Sequence, residues 1–315
     1  MTANWTQTTP AGLRDVFLRT GPANTRKAYW ADLRAFMEFI GARSLTAAVR
    51  TLCEWSPGEA TGKMENYKAA MRDDGYAANT VRRRIGSVVA LAEKAKSLDV
   101  IQWSIAIALP RVRSGRDTSG PAVAPIREMI ARCQARDDAK GRRDTALLSL
   151  MYYQALRAAE VLSIDVAHYQ AGRKARVTVK AKGRADRDTI ELSTPASDAV
   201  DAWLQCRGTE PGRMFPTMNR GAHGGGERLT YCGLSRTIQK IAQAVGAATC
   251  RPNDLRHAAI TEALRITRGN IIGVMQFSRD KDPQSVMFYL DRAMQRDREV
   301  AEILTDQGPI VKGNP

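Results

Sequence analysis

Apolar residues return on one face through NTRKAYWADLRAFMEFIG, where Tyr29, Leu33, Phe36 and Ile40 stand four, three and four positions apart. A period of about 3.6 predicts a helix, with Asn24 or Thr25 placed to cap it and Gly41 to end it. A second helix is expected around Met64, Tyr67 and Met71. A third opens at Asn79 or Thr80 and runs through TVRRRIGSVVALAEKAK, with Val81, Ile85, Val88 and Ala92 turned inward. Arg82, Arg83 and Arg84 follow at steps of about 100° around that helix, so they cannot all enter a core. They read as a basic fan, either a solvated face or a contact to a polyanion.

The rhythm stops at PRVRSGRDTSGPAVAP, residues 110–125. Prolines, glycines and arginines together mark an exposed basic linker and place a domain boundary near residue 120. The expected organisation is a helical domain over 1–110, a linker over 111–125 that carries Arg111 and Arg113, a second domain over 126–305 and a disordered tail over 306–315. In the second half, DTALLSLMYYQALR and AAEVLSI read as helices. ARVTVKA and RDTIELS alternate apolar and polar residues around Gly183, which predicts a β-hairpin. SDAVDAWLQC, Thr230–Val245, Asp254–Arg265 and Asp282–Tyr289 continue the helical pattern, GAHGGGERL reads as a loop, and REVAEIL is a short amphipathic helix. The fold class expected is mainly α (α+β), with a small antiparallel sheet.

Composition narrows the function. Lys and Arg number 48 against 33 Asp and Glu, a formal charge of +15 and a pI near 9.9. That surplus favours a polyanionic partner, since each neutralised phosphate releases counterions. At 43% apolar residues the chain is no disordered polyelectrolyte, and no run approaches the roughly 20 apolar residues of a membrane span. The opening MTANWTQTTP lacks the charged and apolar regions of a secretory signal, so the expected location is the cytoplasm, in association with the nucleoid. Five dispersed cysteines without a C-x-x-C pair, beside three histidines, offer no zinc spacing; no metal and no cofactor are expected.

The candidate chemistry lies in four local motifs: Arg157 in QALRAAEVLSID, Lys182 in VKAKGRADRDTIELS, Arg256 in RPNDLRHAAIT and Tyr289 in RDKDPQSVMFYLD. Breaking a phosphodiester without a metal needs a nucleophile, positive charge on the non-bridging oxygens and a proton for the departing oxygen. A phenol titrates near pH 10, so ionising it at neutral pH costs roughly 4 kcal/mol. Two guanidiniums on one phosphate can supply that through charge-assisted bidentate bonds.

In order and spacing these motifs resemble the tyrosine recombinase family of phage integrases and Xer-like site-specific recombinases, over residues 20–305. The resemblance implies a helical, SAM-like core-binding domain and a catalytic domain that together clamp the duplex. It further implies that Arg157 and Arg256 hold the scissile phosphate and that Tyr289 attacks it to give a 3′-phosphotyrosyl enzyme. Lys182, on the hairpin with Arg184 nearby, would protonate the leaving 5′ oxygen. The partner implied is double-stranded DNA with inverted half-sites, bound by a dimer and synapsed by a tetramer, with REVAEIL docking into a neighbouring subunit. Arg82, Arg83, Arg84, Arg111, Arg113 and Arg184 are the candidate DNA contacts. Glu160 either supports the site or is simply exposed, and Tyr152, Tyr153 and Tyr231 read as core or rim.

Two positions depart from the family pattern. Asn253 stands where the HDLRH motif has its first histidine, and Asp280 stands nine residues before Tyr289, where a His or Trp is usual. An amide can donate to a phosphate oxygen but cannot exchange a proton near pH 7. A carboxylate at ~4 Å from a phosphate repels it by about 4 kcal/mol at an effective dielectric of ~20. Asp280 is therefore expected to turn away, to pair with Arg279 or Lys281, or to be protonated, and Arg279 or Lys281 is a candidate replacement donor. His257, following Arg256, is expected to point elsewhere in a supporting role. The alternatives to a recombinase are a DNA-binding regulatory or architectural protein derived from one, and a type IB topoisomerase.

Overall fold

The computed structural model describes residues 3–6, 8–110, 123–180, 187–218, 227–247 and 249–294. The chain divides into two compact units, 1–114 and 115–315. Helices α1 (Pro10–Arg19), α2 (Ala23–Phe39), α3 (Leu45–Glu54), α4 (Pro57–Asp73) and α5 (Ala78–Ser97) build the first. Its core gathers Leu13, Phe17, Leu33, Phe36, Leu52, Met64, Met71, Ile85, Val88 and Leu91, so the expected faces of α2, α4 and α5 are the inward ones. Thr9, Ser44 and Ser56 cap α1, α3 and α4, and Glu59 closes a capping box with Ser56.

The caps expected for α2 and α5 are different in the structure. Pro22 and Ala77 occupy those positions and neither supplies a side-chain bond. Both helices rely on the burial of their apolar faces instead. The helices α1 and α3 were not among the elements expected from periodicity.

The second unit contains α6 (Val123–Gln134), α7 (Ala139–Tyr153), α8 (Ala158–Leu162), α9 (Thr194–Arg207), α10 (Tyr231–Ala244), α11 (Pro252–Ile266), α12 (Ile271–Ser278) and α13 (Pro283–Met294). Strands β1 (Tyr169–Gln170), β2 (Arg176–Lys180) and β3 (Arg187–Glu191) form an antiparallel sheet in the order β1-β2-β3. Val177 pairs with Ile190 and Lys180 with Arg187, and the buried Val177 and Val179 point to one face. Helix α7 is buried over nearly its whole length, from Arg143 to Tyr152. It is the axis of the unit, and α6, α9 and α11 pack on it. A smaller cluster of Ile260, Leu264, Val274, Val286 and Tyr289 ties α11, α12 and α13 together.

Two boundaries differ from the sequence reading. Helix α6 starts at Val123, inside the segment read as linker. The helix expected through QALR stops at Tyr153; Ala155 adopts a left-handed φ of 47° and Arg157 becomes the N-cap of α8. The hairpin turn with Gly183, most of the loop GAHGGGERL, the segment REVAEIL and the tail lie outside the described residues. Among the described residues no helix is long and apolar enough to cross a membrane.

Candidate active site

The turn between α7 and α8 builds one wall of the site. With Ala155 in the left-handed region, its carbonyl accepts from Nη1 of Arg256 on α11 and, at 3.2 Å, from Nη2 of Arg279. Arg279 itself ends α12 in a left-handed conformation, φ 58°. A left-handed non-glycine residue costs roughly 1–2 kcal/mol. At both positions the bonds to buried guanidiniums offset that strain.

Around this turn guanidiniums and carboxylates alternate. Arg157 donates to Glu160 through Nη1 at 2.9 Å, and its backbone N–H reaches the other Glu160 oxygen at 2.8 Å. Arg279 donates to Glu160 at 3.2 Å and to the Gln154 carbonyl at 3.1 Å. Arg157 Nη2 meets Oδ1 of Asp280, while Arg256 Nη2 donates to Oδ2 of the same carboxylate at 2.8 Å and to the Ser278 carbonyl at 2.7 Å. Arg256 is only 5% exposed. Burial, then the neighbouring Arg157 guanidinium, pull its pKa down to about 10, which still leaves it charged at neutral pH. Burial likewise lowers the pKa of Arg279.

Asp280 is thus neither turned away nor paired with Arg279 or Lys281. It bridges Arg157 and Arg256. The physical reason is that two guanidiniums brought together, one of them almost fully buried, need an anion, and a carboxylate two residues past α12 is within reach. Of the two candidate replacement donors, Arg279 is committed to Glu160 and backbone carbonyls, and Lys281 is exposed. Glu160 is buried and holds Arg157 and Arg279, the supporting rather than the exposed alternative.

Tyr289 lies on α13 and is buried at 7% exposure against Ile260, Leu264, Val274 and Val286. Its hydroxyl hydrogen-bonds Nδ1 of His257, and the two rings sit 5.5 Å apart at 32°. His257 therefore faces the tyrosine rather than pointing elsewhere. The signal available in the sequence was its spacing: Asn253, Arg256 and His257 are i, i+3 and i+4 on α11 and share a face. Asn253 is exposed in the first turn of that helix.

The candidate DNA contacts have mixed placements. Arg82 is exposed. Arg83 pairs with Asp32, a carboxylate 1% exposed that also accepts from Ser87 Oγ at 2.7 Å, so the bridge fastens α5 to α2. Arg84 places its guanidinium 4.3 Å from the ring centre of Tyr76. Lys182, Arg184, Arg111 and Arg113 lie outside the described residues. Because Asp32 is buried, Arg83→Ala is expected to destabilise the first unit by about 1–3 kcal/mol, measured by urea unfolding, whatever it does to DNA affinity.

Among the described residues no cluster of three His, Cys, Asp or Glu could hold a metal. Burial pushes the Cys53 and Cys250 thiols up to about 12 and that of Cys133 to about 11, which keeps them protonated and poor ligands.

Residues 124–296 match the phage integrase family. The chain is 31% identical over 287 residues to a tyrosine recombinase of Synechococcus elongatus, covering 89% of this chain and 88% of that one. It is 27% identical to the tyrosine recombinase XerC of Mycobacterium tuberculosis, over 76% of this chain and 79% of the relative. In fold it resembles the XerH site-specific recombinase bound to palindromic difH substrate in a post-cleavage complex, with a TM-score of 0.68, 14% identity and coverage of 94% of this chain and 85% of that one. It also resembles the Tn1549 transposon integrase in complex with transposon right end DNA, with a TM-score of 0.65, 12% identity and coverage of 93% and 100%. A chain in which Arg157 and Arg256 share the Asp280 carboxylate and a buried Tyr289 meets His257 thus belongs to the phage integrase family of tyrosine recombinases.

Proposed function

We propose that this protein is a site-specific DNA recombinase that cleaves and rejoins strands through a 3′-phosphotyrosyl intermediate formed on Tyr289. The observation that carries the reading is that Arg157 and Arg256 converge on a single anion, here the Asp280 carboxylate. Two guanidiniums spaced to grip one carboxylate are also spaced to grip two oxygens of one phosphate. Glu160 and the Ala155 and Ser278 carbonyls hold both forks, so little reorganisation is needed when charge develops in the transition state.

In the proposed reaction the phenolic oxygen of Tyr289 attacks phosphorus, the clamped non-bridging oxygens gain charge, and Lys182 protonates the departing 5′ oxygen. Asn253 donates to the same phosphate in place of the usual histidine. Asp280 withdraws as the phosphate enters, since carboxylate and phosphate cannot share the two forks. The phosphotyrosyl bond conserves the energy of the broken one, so a second strand's hydroxyl reverses the attack without a cofactor. The DNA is double-stranded with inverted half-sites, held by a dimer and synapsed as a tetramer, with Arg82, Arg84, Arg111, Arg113 and Arg184 among its phosphate contacts.

Asp280 favours a second reading as well: a binding protein whose cleavage centre is closed by its own carboxylate, serving as a regulatory or architectural factor. One experiment separates the two. Half-sites are selected by the protein from a random duplex pool and rebuilt as a nicked suicide substrate. A denaturant-resistant protein–DNA adduct that vanishes in Tyr289→Phe is the expected result. Tight binding without adduct would establish the second reading instead.

A further inference from the structure

We infer that His257 is the general base that takes the phenolic proton of Tyr289, a task the Asn253 amide cannot perform and from which Asp280 is held by Arg157 and Arg256. The inference rests on Tyr289 being the nucleophile. His257 Nδ1 lies in hydrogen-bond contact with the Tyr289 hydroxyl, and the packing of α11 on α13 through Ile260, Leu264 and Val286 sets that meeting. A histidine is the side chain best suited to hold and return a proton near neutral pH. The carboxylates nearby are already committed. Glu160 binds Arg157 and Arg279, Asp280 binds Arg157 and Arg256, and Asp254 accepts from the Arg251 backbone N–H at 2.6 Å.

The step balances as follows. With its own hydrogen on Nε2, His257 accepts the phenolic proton at Nδ1 as the oxygen forms its bond to phosphorus. The bond from phosphorus to the 5′ oxygen breaks, and that oxygen takes a proton from the general acid. When the strand is rejoined, the imidazolium returns its proton to the departing tyrosine oxygen. The same nitrogen serves both directions, as reversibility requires. The placement also exploits α11: Arg256 holds the phosphate and the residue after it activates the nucleophile, so one rigid helix sets the distance between them.

The test is single-turnover adduct formation by the full chain on the suicide substrate. His257→Asn is expected to slow the step about 10²-fold or more, with half-site affinity unchanged and the protein still cooperatively folded. Replacing Tyr289 by 3,5-difluorotyrosine, a more acidic phenol that depends less on a base, is expected to narrow the His257→Asn deficit about tenfold. A bridging 5′-phosphorothiolate substrate, whose leaving group needs no proton, is expected to leave that deficit intact. Wild-type rates in His257→Asn, full rates in His257→Gln, or an equal deficit with either tyrosine would overturn the inference. If instead the unmodified protein forms no adduct, or Tyr289→Phe still forms one, it is the nucleophile assignment that fails.

Discussion

Arg256→Ala is expected to reduce adduct formation by about 10³- to 10⁵-fold, the loss typical when a guanidinium is withdrawn from a transferring phosphoryl group. The side chain is almost fully buried and its donors go to the Ala155 carbonyl, the Ser278 carbonyl and Asp280. Removing it leaves those buried acceptors short of a donor, so the protein is also expected to lose stability, by about 3–5 kcal/mol. Arg256→Lys separates the two effects. The ammonium keeps the charge and one or two of the bonds, yet it cannot present a planar fork to both carbonyl and phosphate. Near-wild-type unfolding with a cleavage rate still down about 10²-fold is the expected outcome for the lysine variant. A lysine variant that cleaves at the wild-type rate would remove Arg256 from the phosphate clamp.

Asp280→His is expected to act in the opposite direction and to accelerate adduct formation by about 10²- to 10³-fold. The carboxylate now bridges Arg157 and Arg256, so binding a phosphate first requires breaking both ion pairs. At an effective dielectric of ~20, a carboxylate left ~4 Å from the phosphate would oppose it by about 4 kcal/mol. Histidine removes the competitor and supplies a donor to the same oxygens. Asp280→Asn separates those contributions, since it removes the charge and adds only a weak donor. Both variants are expected to unfold more readily than the natural protein, because Arg157 and Arg256 lose their shared anion. Faster cleavage from a less stable protein is a combination that generic damage to the site does not produce. Unchanged or slower cleavage in both would mean that Asp280 does not compete with the phosphate.

The residues of the candidate site were legible one by one, and their relations were not. Arg157, Arg256 and Tyr289 stand out through their local motifs, and all three have ordered surroundings in the second unit. Asn253 and Asp280 could be flagged as departures for the same reason. What the motifs could not convey was that Asp280 would settle on the arginines rather than avoid them. Its neighbours Arg279 and Lys281 were the obvious partners by adjacency. The left-handed turn at Arg279 instead sends that guanidinium back toward the α7–α8 turn and Glu160, and leaves Asp280 to the other two. Arg83 gives the same lesson on a smaller scale. Named for DNA contact as part of a basic fan, its guanidinium is also tied to a buried aspartate from another helix.

By itself the sequence determined the helical periodicity of α2, α4, α5, α9, α10 and α11, the alternation of β2 and β3, the basic charge and the family to which the chain belongs. These are local or additive properties, carried by residues a few positions apart. Tertiary structure alone decided which anion fills the arginine pair and which base meets the tyrosine. Those partners are 123, 24 and 32 residues apart, and their contacts depend on how α11, α12 and α13 cross and on two left-handed residues between helices. Ion pairs and proton contacts act over a few ångströms, so they follow the packing of helices rather than the order of residues along the chain.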